Sequence, residues 1–204
     1  KPVSFRTGRH VFNARLAFYK ALGYKVIFCA YNAPFDIEHI GLTSEEMTGK
    51  KFLTRENLPL PMFDLWHGWV AGCPKEYGYF APWTRGDNAG KPDPKTGKSQ
   101  PFNILTNAET VYRYIADLAE FEEKHIAHSD ILIELVILMD ILKRKKKLHI
   151  VHSTKEMVSM PWKLAQERCK EAIEFRKAKQ LSFKEIIETV PNVTVTKKEF
   201  RGYH

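Results

Sequence analysis

The sequence predicts an α/β fold in which a mixed β-sheet is flanked by helices. Three observations predict it. Apolar residues near helical spacing over 11–22 give way to a near-continuous apolar run over 25–31, the pattern of a strand covered on both faces. A proline then opens a second helical segment directly behind that strand. Two more helical stretches follow, over 106–119 and 130–142.

In the first segment Phe12, Leu16 and Tyr19, with Ala14, Ala17 and Ala21, fall near helical spacing, and Gly23 is the natural stop. The apolar run Val26 to Ala30 forms the strand, so Asn32 lies at its carboxyl end. Ligands of open α/β sheets bind at such ends, and Pro34 suits the first turn of the helix that follows. Asp36 is therefore well placed for chemistry. Residues 49–61 read as a connection containing a short strand, and 62–70 as another strand or the start of an aromatic-rich helix. Gly, Pro, Asp and Lys crowd residues 86–100, which predicts an exposed loop. Thr106-Asn107-Ala108-Glu109 matches a capping box, and Ala108, Val111, Tyr112, Ile115, Leu118 and Ala119 mark one face of the helix behind it.

From Asp130 to Leu142 only Asp130, Glu134 and Asp140 are polar, which predicts a helix buried in the middle of the domain. A carboxylate at its start is conspicuous there. The basic run Lys143 to Lys147 complements the helix dipole and could meet phosphates, or be a solvated helix end. The tail reads as a long helical segment over 154–179, a second capping box at Ser182-Phe183-Lys184-Glu185 and a β-prone stretch over 192–196. No internal repeat is present.

A chain of 204 residues with 44% hydrophobic content can bury one sizeable core. The net charge of +8 favours polyanionic partners such as nucleic acid. Cys29, Cys73 and Cys169 show no C-x-x-C spacing, which argues against a disulfide framework or a zinc cage and fits a reducing cytosol. Without a signal core or a run of roughly 18 apolar residues, neither secretion nor a membrane span is expected.

Two acidic motifs carry the chemistry. Asn32-Ala33-Pro34-Phe35-Asp36 follows the strand, and His125-Ile126-Ala127-His128-Ser129-Asp130 opens the apolar helix. Metal-assisted phosphodiester hydrolysis needs carboxylates converging on divalent cations and a base that can take a proton near neutral pH. Asp36, Asp130 and His125 fit those roles. The order N-x-x-F-D, then H-x-A-x-x-D, resembles the second and third motifs of the DEDDh branch of DnaQ-like 3′–5′ exonucleases. Tyr112-Arg113-Tyr114-Ile115 and the residues from Asp130 to Leu138 add to a phage-type likeness that spans roughly residues 11–142.

The resemblance implies an RNase H-like sheet, with residues 1–142 as a core that lacks its N-terminal strands and carries an aromatic and basic insertion at about 65–103. Residues 143–204 would then be a basic, mainly helical C-terminal extension packed on that core. It implies Asp36 and Asp130 as ligands of two divalent ions, Mg²⁺ or Mn²⁺, spaced about 3.5–4 Å apart. His125 would activate water, Asn32 would shape the motif turn and touch substrate, and Phe35 would stack on a terminal base or pack in the core. The implied reaction releases 5′-mononucleotides from single-stranded 3′ ends, DNA favoured over RNA, in the cytoplasm of a bacterial or phage-infected cell. A polymerase or replication protein is the implied partner.

One element of the family pattern is missing. None of the 35 residues before Asp36 is acidic, so no Asp-x-Glu strand precedes it. Asp64 ends an apolar run, but its plus-two neighbour is Trp66. Glu134, one turn beyond Asp130, is the nearest spare carboxylate and suits a supporting role. The expectation is that an upstream segment supplies the Asp-x-Glu motif and pairs with the otherwise open edge of Val26 to Ala30. The alternative is a catalytically incomplete module that binds nucleic acid or serves structurally. Trp66, Trp69, Tyr77, Tyr79, Phe80 and Trp83, followed by Arg85 and the Lys-rich loop, suit either base stacking or a hydrophobic subdomain with a basic rim.

Overall fold

The computed structural model describes residues 4–51, 60–118, 121–122, 126–144 and 147–179. The expected short strand within 49–61, the second capping box and the β-prone stretch over 192–196 lie largely or wholly outside them, as do Lys145 and Lys146 of the basic run. The fold is mixed α/β. Two compact units divide the chain, one from residues 1–65 and 148–158, the other from 66–147 and 159–204.

The first unit begins with α1, Phe5–Ala21. This helix starts earlier than the apolar spacing predicts because the Ser4 hydroxyl caps it, accepting the Thr7 N–H at 3.2 Å. Its far end closes through two backbone bonds, Gly23 N–H to Lys20 and Tyr24 N–H to Tyr19, both 3.0 Å. That Schellman arrangement needs a left-handed residue, and Gly23 supplies it at φ 81°.

Strand β1, Phe28–Ala30, feeds α2, Ala33–Thr48, which returns the chain to β2, Met62–Asp64. β1 and β2 pair in parallel with Ala30 opposite Asp64. Strand β3, Ile150–Val151, pairs antiparallel on the other side of β2, giving the order β1-β2-β3. Among the described residues, β1 therefore stands at the edge of the sheet. α2 buries Ala33, Ile37, Gly41 and Ser44, which recur at helical spacing. Ala33 and Ile37 close a small core with Ala30, Met62 and Val151, against which Phe28, Ile40 and Met157 pack. Full burial of a side chain the size of Ile37 stabilises by about 1.5–3 kcal/mol, so this core holds α2 to the sheet.

The stretch 62–70 is both of the things its sequence allows. After β2 the chain turns directly into α3, Leu65–Val70, and the short α4, Tyr77–Phe80, follows. In the second unit α5, Ala108–Ala116, packs on α6, Ala127–Lys143, while α4 packs on α8, Lys170–Lys179. α7, Trp162–Arg168, precedes α8. The long helix expected over 154–179 is broken by Pro161 and by Met160 at φ 58°. The residues over 86–100 do form an exposed loop, with one bridge between Pro92 and Ser99 and the Asp93 carboxylate accepting the Lys95 and Thr96 N–H groups at its tip.

Two local readings are corrected. The N-cap of α5 is Asn107 and not Thr106, whose hydroxyl accepts the Trp66 indole N–H at 2.9 Å. Helix α6 is not buried all round. Ile133, Ile137 and Ile141 face inward, whereas Ile131, Leu132, Leu135, Met139 and Leu142 are exposed.

Candidate functional site

The parallel pairing of β1 and β2 brings two carboxyl ends side by side, and the N-x-x-F-D motif sits on one of them. Asn32 adopts the left-handed conformation, φ 61° and ψ 47°, which Asn tolerates better than most residues. Its backbone N–H is held by the Oδ1 of Asp64 at 3.1 Å, across from the end of β1. The Asn32 carbonyl then accepts the Phe35 N–H at 2.8 Å, closing the turn that launches α2 with Pro34 in its first positions. Asp36 follows in the first turn, where the positive end of the helix dipole favours a carboxylate.

Asp36 is half-buried. Burial pushes its carboxyl above the usual 3.8, opposed by a backbone hydrogen bond at Asp36 and by the charge of His39. Phe35, expected either to stack or to enter the core, is 57% exposed. Its ring lies 4.0 Å from the His39 imidazole, at 51° to it. An exposed aromatic ring thus immediately precedes Asp36 in the first turn of α2.

Asp64 is the residue that sequence reasoning passed over. It is 5% exposed, and its carboxylate fixes the turn on which Asp36 stands. The available signal was an Asp ending an apolar strand, Met62-Phe63-Asp64, just as Asn32 follows the end of the other. Its plus-two neighbour, Trp66, sets it aside as an Asp-x-Glu candidate, and no other role is read for it.

Asp130 belongs to the second unit, in the first turn of α6, where the Ile126 carbonyl accepts its N–H at 3.1 Å. The Asp130 Oδ1 is buried and finds no hydrogen-bond partner among the described residues, the state of an oxygen suited to a cation. His125 lies outside the described residues, and His128 is exposed. Asn32, Phe35, Asp36 and Asp64 are thus brought together in the first unit, with Asp130 in the second. Among the described residues no group of three or more His, Cys, Asp or Glu gathers to hold a metal. His149 and His152 are both exposed, and the His149 ring nitrogen meets the Glu156 carbonyl at 3.3 Å.

The aromatic stretch over 66–83 builds a hydrophobic subdomain. Trp69, Tyr77 and Tyr114 form a cluster of edge-to-face rings with centroids 4.9, 5.0 and 6.1 Å apart. The Trp69 indole donates to Asp140 at 3.0 Å and the Tyr77 hydroxyl to the Leu105 carbonyl at 2.5 Å. Tyr79 meets Phe175, and Trp83 lies between Phe102 and the Arg176 guanidinium. Burial lowers Arg176 to about 10, and its guanidinium donates to the Gly78 and Ala81 carbonyls at 3.1 and 2.6 Å. These rings are occupied with one another, with Lys91, Lys95 and Lys98 exposed on the loop beyond.

Among the described residues no helix is long and apolar enough to cross a membrane. Comparison with protein-family models, with curated proteins and with solved structures finds no match to this chain.

Proposed function

We propose that the protein is a metal-dependent 3′–5′ exonuclease of the DEDDh type, built on an RNase H-like sheet and acting on single-stranded 3′ ends, DNA by preference. The observation that carries this reading is the junction at the carboxyl ends of β1 and β2. There Asp64 holds the left-handed turn at Asn32 and so sets Asp36 in the first turn of α2. Carboxyl ends of neighbouring parallel strands are where α/β sheets bind ligands.

Asp36 and Asp130 would each contribute to holding Mg²⁺ or Mn²⁺. Two such ions, when bound, supply an acidified water and stabilise charge on the leaving oxygen. His125 takes the proton from the attacking water, a role that suits an imidazole near neutral pH. Asn32 fixes the motif turn and Phe35 offers its exposed ring to a terminal base, while the net charge of +8 draws the polyanion. The remaining ligands come from an Asp-x-Glu strand on an upstream segment or a partner. Among the described residues β1 stands at the edge of the sheet, which supports this, because a strand added there would lie beside the end that bears Asn32. A replication protein is the natural partner, and the cytoplasm of a bacterial or phage-infected cell the natural compartment.

The test uses single-stranded oligonucleotides labelled at the 3′ or the 5′ end, with Mg²⁺, with Mn²⁺ and with chelator, on the chain alone and with the upstream segment added. Metal-dependent loss of the 3′ label as a mononucleotide supports the proposal. Salt-sensitive binding without cleavage under every condition replaces it with the incomplete binding module.

A further inference from the structure

Cys73 and Cys169 lie 96 positions apart in sequence, yet their sulfurs are 3.9 Å apart in the second unit. Both side chains are buried, at 0% and 1% exposure. Cys73 follows α3 and Cys169 joins α7 to α8. The pair is clamped from several sides. The Arg168 Nε donates to the Cys73 carbonyl, and the Cys169 thiol reaches the Pro74 carbonyl at 3.5 Å. Gly78 leaves no room for a side chain, since a Cβ there would stand 2.7 Å from the Cys169 Cβ and 2.9 Å from that of Ala172. Neither cysteine is used by the nuclease proposal.

We propose that Cys73 and Cys169 form a peroxide-responsive modification site, closing to a disulfide that fastens α8 to the turn between α3 and α4. A disulfide needs the sulfurs, now 3.9 Å apart, roughly 2 Å closer. The two thiols share one hydrogen bond, of which either can be the donor. That bond holds the Cys73 thiol below its ordinary value against the opposing effect of burial, and Arg168, bonded to the Cys73 carbonyl, assists. This favours Cys73 as the thiol that ionises to meet the oxidant.

An open depression of about 460 Å³ is lined by Ala71, Lys75, Arg168 and Lys170 among others, residues that flank the two cysteines in sequence, and a small peroxide reaches the buried sulfurs only by local opening there. The Cys73 thiolate attacks hydrogen peroxide, breaking the O–O bond to give Cys73 sulfenic acid and hydroxide. The Cys169 sulfur then displaces the sulfenyl oxygen, forming the S–S bond and releasing water, while the Cys169 proton leaves with that oxygen. Two thiols lose two electrons and one peroxide becomes two waters. In a reducing compartment the pair remains thiol until oxidant arrives.

The test takes the whole chain, fully reduced, treats it with hydrogen peroxide and maps its peptides without reductant. The expected result is a Cys73–Cys169 cross-linked peptide, loss of two hydrogens from the intact mass, a raised thermal midpoint and reversal of all three by dithiothreitol. In C169S, Cys73 should instead be trapped by dimedone as sulfenic acid. Oxidation confined to Cys29, or conversion of wild-type Cys73 to sulfinic acid with no cross-link, overturns the proposal. The wild-type map decides alone if C169S fails to fold.

Discussion

Replacing Asp64 with alanine removes the acceptor that holds the Asn32 N–H at 3.1 Å, at a site where Asp64 is 5% exposed. Leaving a part-buried donor without its acceptor costs about 1–3 kcal/mol, and no water replaces the acceptor freely where it is buried. A loss of about 2 kcal/mol corresponds to roughly 30-fold in an opening equilibrium. Amide hydrogens that exchange by local opening should therefore exchange roughly 30-fold faster at Asn32 and through the first turn of α2. Asp64→Asn keeps an oxygen acceptor and should lie closer to wild type. Hydrogen exchange resolved by residue is the right assay, because Trp66, Trp69, Trp83 and Trp162 all belong to the second unit and their fluorescence reports unfolding there. Exchange at Asn32 to Asp36 within twofold of wild type in Asp64→Ala would refute the role given to Asp64. So would equal effects of the Ala and Asn variants.

Asp140→Ala strips the acceptor from the buried Trp69 indole and breaks the 2.7 Å pair with Arg144, so the second unit should lose about 2 kcal/mol by denaturant titration followed by Trp fluorescence. An unchanged midpoint contradicts this. Gly78→Ala should destabilise by about 1–3 kcal/mol through overpacking against Cys169 and Ala172, whereas Gly8→Ala, with nothing within 4 Å of its Cβ inside α1, should stabilise that helix by about 1 kcal/mol. Equal shifts from the two would undo the packing argument, thermal midpoints and circular dichroism being the readouts. The raised pKa of Asp36 means that the folded state holds its proton longer than the unfolded state does. Its contribution to stability is then fully present below about 3.8 and lost as pH rises through the folded value, so Asp36→Asn should flatten this part of the pH profile. Carboxyl NMR should place the Asp36 midpoint above 3.8, and Mg²⁺ should lower it; a midpoint below 3.8 without metal contradicts the burial argument.

What the sequence disclosed was local. An unbroken apolar run before Asn32 and a proline two residues later mark a strand, a turn and a helix start within one short stretch, and the structure has β1 and α2 there. Gly23 marks the end of α1 for the same reason, since its conformation depends on its immediate neighbours. The role of Asp64 depends instead on β1 and β2 pairing in register across 32 residues, which no local pattern encodes. Thr106 shows the same limit, for its hydroxyl is claimed by Trp66 from 40 residues away. The composition of α6 gave its apolar character without saying which side a neighbour would cover. The aromatic stretch left two readings open, and the edge-to-face packing of Trp69 and Tyr77 on Tyr114 joins rings too far apart in sequence for a local pattern to reveal.

The central proposal is that Asp36, Asp130 and His125 are each needed for metal-dependent cleavage at nucleic-acid 3′ ends. It is tested most directly by Mg²⁺-dependent mononucleotide release from a 3′-labelled single strand, compared among wild type, Asp36→Asn, Asp130→Asn and His125→Ala, each with the upstream segment present. The account predicts that both Asp variants lose cleavage while keeping salt-sensitive binding, and that His125→Ala slows it by about two to four orders of magnitude. Cleavage at the wild-type rate in either Asp variant, or none in wild type under any metal, would contradict it.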